Sequence, residues 1–173
     1  MSKFVAIAAS LYFSTILCFG FAPIASANSF TYSLNSAIAT PMALFSFSGT
    51  RPTNLGVNNG QLLDCPNSPN CVSSQNTDAE HKIAPLTYKG DPTKAFADLQ
   101  AVIASMPRTK IITAESNYVY AEFTSALMGY VDDVEFFLNT DKGCIDVRSA
   151  SRLGESDLGV NRDRIETIRT KFA

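Results

Sequence analysis

The chain has 173 residues, of which 46% are hydrophobic and 17% are charged, and these values are typical of a globular protein. Its net charge of −2 disfavours nucleic-acid binding, because contacts to phosphates need a surplus of positive charge. The charges are unevenly distributed: Lys3 is the only charged residue of positions 1–50, which leaves 29 of the 30 in positions 51–173. About 120 residues therefore resemble a soluble domain, enough for one hydrophobic core but too few for a large multidomain enzyme.

The first 27 residues have the pattern of a secretory signal peptide. Lys3 precedes an uncharged run over 4–22, and the small residues Ala25 and Ala27 mark a cleavage point after position 27. The alternative is an uncleaved membrane anchor, because the run approaches the roughly 20 apolar residues that span a bilayer. Cleavage would leave 13 basic and 16 acidic residues, a net charge of −3.

Positions 28–60 are predicted to be an apolar leader followed by a linker. The apolar stretch 37–47 has only 11 residues and contains Pro41, so it is too short to span a bilayer. It is predicted either to make a peripheral membrane contact or to pack on the following domain. Residues 50–60 are rich in Pro, Gly and Asn, a composition typical of a linker.

The cysteines indicate a disulfide rather than a metal site. Cys65 and Cys71 enclose a short loop with two prolines, and an exported protein can form a disulfide there. The alternatives are free thiols, or a zinc site that adds His81. Zinc-binding cysteines are usually closer in sequence and have an evident fourth ligand, so no metal or other cofactor is predicted. Cys144 is predicted to lie in a strand as a small hydrophobic residue.

Helix and strand patterns follow one another over residues 91–172. Asp91 and Pro92 form a helix start, and apolar residues at three- and four-residue spacing continue to Met106. Alternating patterns then predict strands over 110–115 and 118–127, followed by a hairpin. A last helix is predicted with Asn161 as its N-cap. The predicted fold is α+β, an antiparallel sheet of about four strands flanked by an N-terminal and a C-terminal helix.

The hairpin fixes a register between the last two predicted strands. Its loop, residues 139–143, carries a glycine near its end, and folding there brings apolar residues of one face together. The predicted partners are Leu138 with Ile145, Phe136 with Val147, Glu135 with Arg148 and Asp132 with Ser151.

Five of the seven arginines lie in the segment from Arg148 to Arg169, together with four acidic residues. Opposite charges interleaved in this way favour a network that holds a loop in place. The alternative is an anion pocket, in which arginines, serine hydroxyls and the N-terminus of the last helix bind a carboxylate or phosphate. The candidate ligand-binding residues are Arg148, Ser149, Ser151, Arg152, Asp157, Asn161 and Arg162.

Asp132 is the candidate catalytic residue. It alternates in phase with the apolar residues of its strand, so its carboxylate needs a partner or its pKa rises. Its predicted position beside Arg152 favours a partly buried ion pair. The alternative is a general acid or base of a hydrolase, with Arg152 orienting the substrate.

Three segments resemble a family of domains of unknown function, DUF1499: CPNSPNCVSSQ (65–75), YVDDVEF (130–136) and RSASRLGESDLGVNRDRIETIR (148–169). The resemblance covers roughly 61–173. The segment FSGTRPTNLGV (47–57) is similar to the leader of cyanobacterial members, which implies export to the thylakoid lumen or the periplasm. The family implies no established activity.

The resulting functional hypothesis is an exported, non-catalytic domain that binds a small anionic ligand or a protein partner through Arg148 and Arg152. The alternatives are a hydrolase that uses Asp132 with Arg152, or a structural factor of a membrane-associated complex.

Overall fold

The computed structural model describes residues 46–173, so the predicted signal peptide and residues 28–45 of the leader lie outside the described residues. Six strands and two helices follow Ser46. The strands are β1 (Cys71–Ser73), β2 (Leu86–Thr87), β3 (Thr109–Ala114), β4 (Tyr118–Thr124), β5 (Val131–Asn139) and β6 (Cys144–Ser151), and the helices are α1 (Pro92–Ser105) and α2 (Val160–Phe172).

The strands form one antiparallel sheet in the order β1-β6-β5-β4-β3, and β2 also pairs with β6, beside its first residues. The predicted α+β class and antiparallel sheet are therefore confirmed. The predicted number of strands and the helix order are only partly matched. The four predicted strands correspond to β3–β6, and the sheet has two more, β1 and β2, which precede α1. These strands have three and two residues, too few for an alternating pattern to be recognised.

Helix α1 starts where its sequence predicts and ends at Ser105, one residue before the predicted end at Met106. The carboxylate of Asp91 accepts a hydrogen bond from the backbone N–H of Lys94 at 2.7 Å, and Pro92 occupies the first turn. Phe96, Leu99 and Ile103 are buried against the sheet. Burial of such apolar side chains contributes about 2 kcal/mol each to the stability.

Helix α2 begins two residues earlier than predicted. Its N-cap is Gly159, in the left-handed conformation with φ of 85°, so the prediction of Asn161 as N-cap is wrong. The carboxylate of Asp157 accepts hydrogen bonds from the N–H groups of Gly159 and Asn161 at 3.0 and 2.7 Å. Because Asp157 satisfies these donors, the Asn161 side chain is available for contacts with the sheet.

Side chains of the sheet alternate between two faces. The helix face carries Val119 and Ala121 and packs with α1 and α2 in the main core. The outer face carries Tyr118 and Tyr120, and Leu62 packs on both. The register of β5 and β6 contains every pair predicted from the hairpin, which is therefore confirmed. These pairs are Leu138 with Ile145, Phe136 with Val147, Glu135 with Arg148 and Asp132 with Ser151.

Strand β4 is shorter than predicted because the chain turns after Thr124. Ser125 donates its N–H to the carbonyl of Tyr130 at 2.8 Å and accepts the N–H of Tyr130 on its hydroxyl at 2.9 Å.

The predicted disulfide between Cys65 and Cys71 is present, and Cys144 is a buried free thiol in β6, as predicted. Neither helix of residues 46–173 has the length and apolarity needed to cross a membrane.

Candidate functional site

The residues of the predicted anion pocket are distributed over two faces of the sheet. Arg148 and Arg152 lie on the outer face, whereas Ser149 and Ser151 lie on the helix face, because successive side chains of a strand point to opposite sides. The structure therefore brings Arg148 and Arg152 into one cluster and Ser149, Ser151 and Asn161 into another. Asp157 and Arg162 make other contacts.

In the outer-face cluster, the guanidinium of Arg152 already binds carboxylates of the protein itself. Its Nε lies 2.9 Å and its Nη2 2.6 Å from the carboxylate oxygens of Asp133. The same guanidinium also bonds to Glu122 and to the Tyr120 hydroxyl. Charge-assisted, two-pronged hydrogen bonds of this kind are among the strongest in proteins, so little of Arg152 is free to bind an anion.

Arg51 extends this cluster to the segment that precedes the sheet. Its Nε donates to Glu122 at 2.6 Å. The hydrogen bond from Arg51, followed by that from Arg152, outweighs the effect of burial and lowers the pKa of Glu122 to about 2. Burial and the hydrogen bond to Asp133 raise the pKa of Tyr120, so its hydroxyl remains a donor.

Glu135 is the most deeply buried acid of the outer face. Its Oε1 accepts hydrogen bonds from the Tyr118 hydroxyl at 2.8 Å and from the N–H of Gly56 at 2.9 Å. Arg148 lies 3.4 Å from Oε2, and its buried Nε has no hydrogen-bond partner among the described residues. The two charges compensate each other in the interior, which is the condition for burying them.

On the helix face, Asp132 pairs with Arg164 of α2. The predicted ion pair between Asp132 and Arg152 is wrong, because the two side chains lie on opposite faces. Arg164 also donates to the Ser149 hydroxyl at 3.0 Å and to the side-chain oxygen of Asn161 at 2.5 Å. This cluster therefore attaches α2 to the sheet.

Asn161 and Arg162 make further structural contacts. The amide of Asn161 donates to the Ser151 hydroxyl at 3.0 Å and to the carbonyl of Asn70 at 2.9 Å. Arg162 donates to the carbonyls of Lys82 and Glu80 at 2.9 and 2.8 Å. Together with the capping by Asp157, these contacts connect α2 to the rest of the domain.

His81, which the alternative zinc site would have used, is buried. Its ring nitrogens lie 2.7 Å from the Asp78 carboxylate and 3.2 Å from the Ser68 carbonyl. Burial opposes protonation, but these two contacts outweigh it and raise the pKa of His81. Residues 46–173 contain no group of three or more His, Cys, Asp or Glu side chains placed to hold a metal ion.

The position of Arg164 toward the sheet could have been predicted from the helical spacing of its neighbours. Asn161, Arg164, Ile165 and Ile168 follow the spacing of one helix face, and that face is turned to the sheet. The residues that complete the outer-face cluster are Tyr118, Tyr120, Glu122, Asp133 and Arg51.

A cleft of about 670 Å³ lies between β2, the start of α1 and the end of α2. Leu86, Tyr88 and Phe172 supply its apolar walls. Lys89 and Lys94 lie at its exposed rim. A second cleft of about 640 Å³ lies between residues 52–60 and the β3–β4 hairpin. None of the predicted ligand-binding residues lines either cleft.

The model of one protein family, described as a protein of unknown function (DUF1499), matches residues 61–172. The match runs from just before the disulfide loop to the end of α2 and includes the sheet and both polar clusters, except Arg51 and Gly56 of the preceding segment. No curated protein and no solved structure matches the chain.

Proposed function

Since the chain belongs to the DUF1499 family, whose function is unknown, we propose from its geometry that it is an exported, non-catalytic domain. It binds a small anion with an apolar body in the cleft between β2, α1 and α2. The observation that carries this proposal is a cleft that joins apolar walls to the ammonium of Lys89, which has no ion-pair partner within residues 46–173. Its volume of about 670 Å³ lies within the range of small-molecule sites.

The charged side chains that line this cleft are of both signs, and Lys89 is the cation that supports an anionic ligand. The acids Asp91 and Asp98 are engaged by the backbone N–H and the ammonium of Lys94. Lys94 forms an exposed ion pair with Asp98 at 2.6 Å. Arg169 donates to Glu166 and to the carbonyls of Pro85 and Ala84. Lys89 makes no hydrogen bond or ion pair within residues 46–173, so its ammonium is available to a carboxylate, sulfonate or phosphate.

The apolar walls define the other half of the ligand. Leu86 is fully buried, whereas Tyr88 and Phe172 are partly exposed and pack against the main core. Rigid aromatic side chains offer apolar area at a low cost in conformational entropy. An aromatic or aliphatic group of the ligand therefore fits between these side chains, with its charge toward Lys89.

Two features support a binding role over the hydrolase alternative. Asp132 and Arg152 lie on opposite faces of the sheet, so they do not act on one substrate. The ionisable side chains that line the cleft are carboxylates, ammonium groups, a guanidinium and a tyrosine, without a nucleophile placed beside a base. The disulfide supports export, because disulfides persist in oxidising compartments.

The proposal is tested with 1-anilinonaphthalene-8-sulfonate, which joins an apolar body to one negative charge. N-phenyl-1-naphthylamine is the neutral counterpart. Lys89→Glu should weaken binding of the sulfonate about tenfold, equivalent to about 1.4 kcal/mol, and leave binding of the neutral probe unchanged. The matched control is Lys110→Glu, which makes the same charge change on β3.

Fluorescence titration measures both affinities. Equal sulfonate affinities for the wild type and Lys89→Glu would refute this site, as would an equal loss with Lys110→Glu, which would indicate a general effect of net charge.

A further inference from the structure

Exposed apolar side chains are concentrated at one end of the domain. Within residues 46–173, eight large hydrophobic side chains are exposed, and six of them lie where β4 ends, β5 begins and β6 leads into α2. We call this surface the apolar tip. Its members are Phe47, Leu127, Tyr130, Leu153, Leu158 and Val160.

Ring, backbone and packing contacts link Phe47, Tyr130 and Leu153, three members of the apolar tip. The rings of Phe47 and Tyr130 stack with their centres 5.6 Å apart, and Phe47 donates its N–H to the carbonyl of Met128 at 3.3 Å. Gly49 lies against Leu153, since a Cβ on this glycine would meet the Leu153 side chain at 3.1 Å. Residues 47–49 thus connect the turn between β4 and β5 to the end of β6.

Leu158 shows that the fold maintains this exposure. Its side chain is 92% exposed, and its φ of 56° lies in the left-handed region that bulky residues rarely adopt. Such a conformation costs of order 1–3 kcal/mol. A leucine held in water by a strained backbone is explained if an apolar phase covers it.

The residues that precede the apolar tip in the sequence favour a lipid bilayer as the apolar phase. The apolar tip begins at Phe47, the last residue of the uncharged apolar stretch 37–47, which lies after the predicted cleavage point. We propose that the apolar tip inserts into the interfacial region of a lipid bilayer. Aromatic and aliphatic side chains on a surface loop enter that region through burial of apolar area.

The charges near the apolar tip indicate insertion without attraction to anionic lipids. Arg51 and Arg152 are neutralised by Glu122 and Asp133. Arg108 is exposed beside the end of β4, where its Nε donates to the Thr124 carbonyl. It is outnumbered by the acidic residues Glu155 and Asp157 of the loop after β6. Zwitterionic phosphatidylcholine is therefore sufficient for insertion. This inference does not depend on the proposed ligand, whose cleft lies beside the opposite end of β6.

The chain contains no tryptophan, so one introduced tryptophan reports on one position. The full-length variants Leu127→Trp and Leu158→Trp place the probe on the apolar tip. Leu63→Trp is the matched control, at an exposed leucine outside the tip. Each variant is incorporated into phosphatidylcholine vesicles with and without brominated acyl chains, which quench tryptophan on contact.

We expect emission at shorter wavelength and strong quenching for the probes at 127 and 158, with neither effect at 63. Because the three variants have identical N-terminal residues, any vesicle binding through those residues is the same in all of them and does not produce this difference. Unquenched probes at 127 and 158 would overturn the proposal. So would equal quenching at 63, or a wavelength shift without vesicles that brominated lipid does not quench, which would indicate that the chain's own leader or a second copy covers the tip.

Discussion

Arg164 of α2 donates a hydrogen bond to the carboxylate of Asp132 on β5, and its guanidinium lies 5.0 Å from the centre of the Phe123 ring. The two charged side chains are only 10% and 7% exposed. This pair joins the last helix to the sheet at the end where β5 begins. Asp132, the candidate catalytic residue of the sequence, is thus engaged in a structural contact.

Asp132→Asn should lower the free energy of unfolding by about 3 kcal/mol, because it leaves the buried charge of Arg164 without its partner. Urea denaturation measures the change. The control is Asp98→Asn, which removes the exposed acid of the Lys94 ion pair and should cost less than about 1 kcal/mol. Equal losses in the two variants would contradict a structural role for Asp132.

The stability should depend on pH through Glu122. Its pKa is about 2 in the folded protein, below the value of 4.5 for an isolated glutamate. A lowered pKa in the folded state gives stability that is complete above about pH 4.5 and is lost as the pH falls toward 2. Glu122→Gln should therefore destabilise the protein at about pH 5 and progressively less at about pH 3.

Urea denaturation at each pH gives the difference between wild type and Glu122→Gln. Arg51→Gln removes the main donor to this carboxylate and should reduce the same pH dependence. A difference that stays constant from pH 5 to pH 3 would show that Glu122 is not the responsible group.

The disulfide should stabilise the loop that it closes. Cys65→Ser should lower the free energy of unfolding by about 2 kcal/mol. This is the contribution expected because a disulfide that closes a loop of this size reduces the conformational entropy of the unfolded chain. A reductant should destabilise the wild type by a similar amount and leave the variant unaffected. Mass spectrometry of the non-reduced protein should show Cys65 linked to Cys71, and two alkylatable thiols at these positions would contradict the linkage.

The elements that the sequence predicted well are those with a long periodic pattern. Fourteen residues of α1 carry an N-cap and a regular apolar spacing. The β5–β6 hairpin has only one register that pairs apolar residues on one face. Strands β1 and β2 were missed because two or three residues contain no period, and their places depend on pairing with β6, far away in the chain.

The polar clusters were predicted only in part. The alternation along a strand indicates the face on which a side chain lies, but the residue that pairs with it there depends on the fold. The register that pairs Asp132 with Ser151 also pairs Asp133 with Ala150. Arg152 follows Ala150 by two residues and therefore lies on the same face as Asp133. Parity along the strand therefore indicated the pair of Asp133 and Arg152. No local pattern indicated that Arg51 reaches Glu122, since 71 positions separate them.

The disulfide loop, the two helices and the hairpin register could be predicted, because they depend on residues that are close in the chain and on periods of 2 and 3.6. Which arginine meets which carboxylate, where the cleft opens and that six exposed apolar side chains lie at one end follow from long-range packing. Those features depend on how α2 and the segment after Ser46 pack on opposite faces of the sheet. Such packing is determined by burial over the whole domain, and local spacing does not encode it.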